Sequence, residues 1–266
     1  MSRSPAEGGG ELENALSDPQ LQSFSQQGFI SLGQIFDDEQ LRTISSEYDR
    51  LVTDEAQVLG NQEDGFFPYR AMLNFRSQAL AALILHPQLL AIAQQILGDD
   101  IRFWWDQGIN KKPGSRSPIA WHQDNGYQPG RTQEFLTCWL ALDASDLDNG
   151  GLEVIPGSHK SGLRPHAWEG VHAVIPGDGL DTTGSIGLDV GAGEVLIFSS
   201  LLVHQTLGNL TPDRQRRAWV IQYCRGDQHN EVTGEVYDNR AWVVKRGKVA
   251  DSLESERPFD LVRERA

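Results

Sequence analysis

The sequence predicts a mainly β domain with flanking helices: a sandwich or barrel of short strands braced on one side. Two observations carry this. Helical periodicity is confined to the first hundred residues. Beyond them the apolar residues fall into short runs divided by Gly- and Pro-bearing turns such as "DNGG", "PGSH" and "IPGDG".

Taken in order, residues 1–18 read as a flexible leader. They are rich in Gly, Ser, Glu and Pro and lack the apolar stretch of a signal peptide. Residues 19–266 read as one domain: a helical part over about 19–99, a β core over about 100–225 and a C-terminal extension over about 226–266. In "DDEQLRTISSEYDRLVTD", Leu41, Ile44, Tyr48 and Leu51 recur at helical spacing behind acidic capping residues. "SQALAALILHPQLLAIAQQILG" reads as two helices, broken at Pro87 and stopped at Gly98. The expected strands are "IRFWWDQGIN", "EFLTCWLALD", "LEVIP", "EVLIFSS" and "RRAWVIQYC", with "AWVVKRG" adding one more in the polar tail.

Composition narrows the function. Lys and Arg total 23 against 37 Asp and Glu, a net charge of -14. Such a surface repels phosphate backbones and anionic lipid, so neither nucleic acid nor a membrane is an expected partner. No run of apolar residues is long enough for a transmembrane helix. Cys138 and Cys224 lie inside apolar runs and read as core residues rather than a disulfide. A reducing, cytoplasmic setting is the simplest expectation.

The chemistry begins at "PIAWHQDNGYQPG". His122 and Asp124 stand two apart, so on an extended segment both side chains share a face and can hold one ion. His-x-Asp alone also suits an ordinary turn. A third ligand is therefore sought among His86, His159, His166, His172, His204 and His229. His86, in a helix beside Pro87, reads as structural. His166, His172 and His229 fall in polar segments and read as solvated. His204 ends the apolar strand region "EVLIFSSLLV", where it is either a satisfied core residue or a ligand facing a barrel interior. Two histidines and one carboxylate suit non-haem iron(II), and no cysteine joins them as structural zinc would require. Twelve residues on, Arg216 opens "RRAWVIQY", where alternation puts it on one face and Arg217 on the other. The inward one needs an anion: a dicarboxylate cosubstrate, or a structural Asp or Glu.

Together these segments resemble the phytanoyl-CoA dioxygenase (phytanoyl-CoA hydroxylase-like) family of iron(II)/2-oxoglutarate oxygenases. "INKKPGS...WHQDNGY", "TCWLALDASDLDNGGLEVIPGSHKSG" and "VHQTLGNLTPDRQRRAWVIQY" follow the family's order across about residues 100–225. The resemblance implies a double-stranded β-helix, a cupin-like jelly-roll. It implies His122, Asp124 and His204 as iron ligands and Arg216 as the anchor of 2-oxoglutarate. Gln123, Trp139, Thr206, Gln107 and, across variable sequence, Arg70 would border that cosubstrate. His159, in "PGSHK", would stabilise a turn.

The implied reaction uses Fe(II), 2-oxoglutarate and O2, with ascorbate as a stimulant. It hydroxylates a C–H bond of a small metabolite and releases succinate and CO2. The presence of Asp124, where halogenases have a small residue, speaks for oxidation rather than chlorination. Tyr127, Trp105 and Phe67 are candidate substrate contacts, with Phe66, Tyr69, Trp104 and Trp242 as further aromatics that ordinary packing would also explain. A monomer or homodimer is expected. Desaturation, cyclisation or epimerisation by the same oxidant, a non-catalytic ligand-binding jelly-roll, and a zinc hydrolase stand as alternatives.

Overall fold

The computed structural model describes residues 15–52, 69–128 and 132–253. Residues 15–18 are part of the fold. Leu16 is buried, and its backbone N–H and C=O bond the side-chain amide of Gln95 at 2.7 and 2.8 Å. Helix α1 (Asp18–Gln27) starts behind Ser17, whose N–H donates to Gln20 Oε1 at 2.9 Å. It ends at Gly28, where φ is +84° and a Cβ would meet His159 Nδ1 at 2.4 Å. His159 of "PGSHK" thus packs under this helix end, and its Nε2–H donates to the Ser25 carbonyl at 3.2 Å.

Strand β1 (Phe29–Gln34) and helix α2 (Asp38–Val52) follow, then β2 (Tyr69–Ala71), α3 (Gln78–Leu83) and α4 (Pro87–Leu97). The "helical" part therefore also contributes two strands. Ile44, Tyr48 and Leu51 are buried on α2 as the spacing predicts, and Pro87 does open a new helix. No single helix among the described residues is long and apolar enough to cross a membrane.

The rest is β: β3 (Ile101–Lys111), β4 (Ile119–His122), β5 (Leu136–Ala141), β6 (Leu152–Val154), β7 (Ala167–Glu169), β8 (His172–Val174), β9 (Ile186–Gly187), β10 (Glu194–Ser199), β11 (His204–Thr206), β12 (Arg216–Arg225), β13 (Trp242–Lys245) and β14 (Lys248–Val249). The larger sheet runs β1-β10-β5-β12-β3-β13-β14, with β2 also on β3. The smaller runs β4-β11-β6-β9, and β7-β8 form a separate hairpin. Every pairing is antiparallel. Two facing sheets of this kind make the jelly-roll.

Alternation splits the larger sheet into two faces. Cys138, Leu140, Ile197, Trp219, Ile221 and Tyr223 point outward and join Ile44, Tyr48, Leu90 and Ile92 of the helices in one core. Trp139, Ala141, Leu196, Phe198, Ala218 and Val220 point inward, against Leu152 and Val154 of the smaller sheet. The C-terminal extension is built into this frame. β13 pairs with β3, and buried Gln228 donates to Thr132 Oγ1 and the Gln133 carbonyl at 3.2 and 2.8 Å.

Candidate active site

In the smaller sheet β11 pairs with β4 so that His204 stands directly opposite His122. Their rings lie 4.1 Å apart, in a row that continues to Phe198 beyond His204 (4.9 Å) and Tyr127 beyond His122 (5.6 Å). Each imidazole is oriented by its own strand. His122 Nδ1–H donates to the Ala120 carbonyl at 2.7 Å, and His204 Nδ1–H donates to the Leu202 carbonyl at 2.9 Å. That tautomer leaves both Nε2 lone pairs facing Asp124 Oδ1, at 3.9 and 3.7 Å. Burial, then the neighbouring His204, push the His122 pKa well down, so its ring is neutral as metal binding requires. Asp124 Oδ2 is turned away and accepts from Thr137 Oγ1 at 2.6 Å and Gln222 Nε2 at 3.0 Å. Three ligand atoms within 4.8 Å of one another thus face a single point. Two imidazoles and one carboxylate form the donor set of a non-haem iron(II) centre with open positions.

Two basic side chains are buried on the inner face of the larger sheet. Arg216 and Lys111 are cross-strand partners on β12 and β3, and both are fully buried. Arg216 Nε and Nη2 donate to the Gly150 carbonyl at 3.1 and 2.8 Å, while Nη1 has no partner among the described residues. Gly150 is required there: its φ is +86°, and a Cβ would meet the Leu207 carbonyl at 2.7 Å and Lys111 Cδ at 2.8 Å. Lys111 Nζ donates to the Thr206 carbonyl and Oγ1, at 3.2 and 2.9 Å, and to the Leu207 carbonyl. Burial, then the charge of Arg216, pull the Lys111 pKa down to about 5, and burial pulls Arg216 down to about 10. A buried guanidinium with an unmatched Nη1 fits an anion such as a carboxylate.

The family model for phytanoyl-CoA dioxygenase (PhyH) matches residues 24–218. The chain belongs to the phytanoyl-CoA dioxygenase family. It is an iron(II)- and 2-oxoglutarate-dependent oxygenase. Among curated relatives it is 28% identical to the ectoine dioxygenase of Bordetella bronchiseptica, over 80% of this chain and 77% of that one. It is 27% identical to the peroxisomal phytanoyl-CoA dioxygenase of Mus musculus, over 86% and 74%. Among solved structures, EvdO2 from Micromonospora carbonacea var. aurantiaca superposes with a TM-score of 0.71 at 22% identity, over 82% of this chain and 94% of that one. EvdO2 has also been crystallised with 2-oxoglutarate.

The structure sorts the remaining residues that the family resemblance implied. Trp139 shares the inner face, its ring 5.8 Å from the Arg216 guanidinium, and Thr206 meets Lys111. Gln107 and Trp105 face inward on β3, where Trp105 Nε1–H donates to Gln107 Oε1 at 2.9 Å. Tyr127 lies edge-on to His122, with its hydroxyl 3.3 Å from His172 Nδ1 and its ring 5.9 Å from Trp168. Phe66 and Phe67 lie outside the described residues.

Two expectations are corrected. Gln123 points away from both ligands beside it. It is fully buried and stitches loops together, donating to the Gly162 and Leu201 carbonyls at 3.0 and 2.6 Å and accepting from Arg164 N–H at 2.8 Å. Arg70 pairs with Gly108, whose face looks outward onto Tyr48 and Val52, and its guanidinium donates to the Leu51 carbonyl of α2. Alternation puts Tyr69, not Arg70, on the inner face. Arg217 also points outward and is saturated: it bonds Asp143 at 2.8 Å, Asp49 at 2.8 Å and Ser45 at 3.1 Å.

Sequence reasoning missed Lys111, Thr137 and Gln222. The strand period would have reached Lys111 from Gln107. It also took His166 and His172 for solvated residues. His166 Nε2 instead accepts from Gln123 N–H at 3.1 Å, and burial lowers both histidines' pKa values.

Proposed function

We propose that this oxygenase hydroxylates an unactivated C–H bond of a small uncharged or cationic metabolite. His122, Asp124 and His204 would hold the iron, and Arg216 with Lys111 the distal carboxylate of 2-oxoglutarate, between Trp139 and Thr206. The observation that carries the reading is the pairing of an open His–Asp–His face with two buried basic side chains, Arg216 and Lys111, on one register step. When bound there, iron(II) and 2-oxoglutarate supply the oxidising chemistry, in which dioxygen decarboxylates the cosubstrate to succinate and oxidises the substrate.

The chain's own residues bind, orient and exclude. Nδ1–H donation to Ala120 and Leu202 fixes both imidazoles with Nε2 inward. Arg216 and Lys111 would hold the distal carboxylate of 2-oxoglutarate and orient the cosubstrate. Leu196, Phe198 and Val220 keep the barrel wall dry. Tyr127 and Trp105 would stand on the substrate side, and Gln107 beside the cosubstrate. The net charge of -14 disfavours a ligand carrying several phosphates, such as an acyl-CoA, and favours a neutral or cationic one.

The test is a metabolite panel with succinate release as readout and mass spectrometry of the products. A substrate-dependent product one oxygen atom heavier is expected. Products that only lose hydrogen, or that are isomers of the substrate, would replace hydroxylation with desaturation, cyclisation or epimerisation. His204→Ala should abolish succinate release while the far-ultraviolet circular dichroism stays unchanged, and surviving turnover would remove His204 from the ligand set.

A further inference from the structure

We infer that Thr137 and Gln222 are positioning residues that make Asp124 a one-oxygen metal ligand; this rests on the metal reading of the triad. The two residues are register partners on β5 and β12, on the inner face of the larger sheet. Asp124 lies across from them, on the turn that leaves the smaller sheet. They therefore reach the ligand from the opposite wall of the barrel.

The hydrogen count closes on itself. Gln222 Nε2 carries two hydrogens, and its two acceptors are Asp124 Oδ2 at 3.0 Å and Thr137 Oγ1 at 3.1 Å. The single hydroxyl hydrogen of Thr137 goes to the same Oδ2, at 2.6 Å. Reversing the Gln222 amide would set Oε1 against a carboxylate oxygen and against a hydroxyl whose hydrogen is already committed. The amide therefore has one orientation, and Oδ2 receives two donors. An oxygen so engaged cannot also swing toward a metal without giving up both bonds in a buried setting. Oδ1, which faces both Nε2 atoms, is the oxygen left for the ion. A carboxylate free to rotate could bind through both oxygens and take up a coordination position that the reaction needs open.

The test uses cobalt(II) alone as the probe, titrated into the full chain without oxygen. Its readouts are the dissociation constant and the ligand-field absorption band, which follows coordination number. Thr137→Val keeps the shape and removes the hydroxyl. It should weaken cobalt binding roughly 10- to 100-fold and change the band, and Thr137→Ser should restore both. Gln222→Leu should behave as Thr137→Val does, and the double variant should lose little more than either alone, because the three groups act as one unit. Wild-type affinity and band shape in Thr137→Val would overturn the clamp. If Gln222→Leu fails to fold, the Thr137 pair decides alone. Wild-type protein that binds no cobalt, or binding that survives His204→Ala, would overturn the metal centre and the clamp with it. The two failures are therefore distinguishable.

Discussion

The adjacent arginines at the start of β12 should respond in opposite ways to the same substitution. Arg216 faces inward with Nη1 unpartnered among the described residues, whereas Arg217 faces α2 and is engaged through all three guanidinium nitrogens by Asp143, Asp49 and Ser45. Arg216→Gln removes one half of a buried charge pair with 2-oxoglutarate, a loss of about 3–5 kcal/mol. At about 1.4 kcal/mol per decade this weakens cosubstrate binding by roughly two to three and a half orders of magnitude. The protein without cosubstrate gives up only the donation to one carbonyl, that of Gly150, and is relieved of a desolvated cation, so its melting temperature should change little. Arg217→Gln should do the reverse. It strands Asp143 beside α2, which costs about 1–3 kcal/mol, and leaves cosubstrate affinity intact.

Thermal melts of metal-loaded, oxygen-free protein, with and without 2-oxoglutarate, read both effects. Saturation at a hundred times Kd stabilises by about 2.7 kcal/mol, which at about 2–4 °C per kcal/mol is a rise of roughly 5–11 °C. Arg216→Gln should lose that rise, and Arg217→Gln should keep it from a lower starting point. A preserved rise in Arg216→Gln, or a lost one in Arg217→Gln, would refute the assignment of faces.

Other outcomes follow from the same geometry. Lys111, held down to about 5 by burial and Arg216, should gain a proton when an anion arrives beside it, so affinity for 2-oxoglutarate should fall as pH rises above that value. Calorimetry in buffers of different ionisation enthalpy would detect the proton uptake, and Lys111→Arg should remove it. Gln123→Leu should destabilise the fold by about 2–4 kcal/mol through its three lost bonds to two loops without changing cosubstrate affinity, as denaturant melts and a binding titration would read. Gly108→Ala should destabilise by about 1–3 kcal/mol, because a Cβ there would meet Val52 Cγ2 at 2.5 Å and Tyr48 Cε2 at 2.8 Å.

Legibility followed burial periodicity. β3, β5, β10 and β12 were readable because each holds a short apolar stretch buried on both faces, and α2 because its apolar stripe is regular. β4 and β11 were not, because they are four and three residues long and carry the polar ligands themselves. The hairpin β7-β8 escaped notice because Ala167, Trp168 and Glu169 are all exposed, which leaves no pattern to mark the strand that brings His172 to Tyr127. The ligand triad was legible through spacing and family order. Gln123 and Arg70 went astray because a position near a motif says nothing about which face of the strand it occupies. Thr137 and Gln222 become visible only when register joins two strands 85 residues apart.

The direct opposition of His122 and His204 also governs when the centre can come into being. The two ligands meet only through the β4–β11 ladder. A chain emerging from the ribosome presents His122 and Asp124 long before it presents His204, and the first two alone make a poor trap for any ion. Iron capture would thereby wait for the β4–β11 pairing. Loading would then report that the β4–β11 ladder has formed.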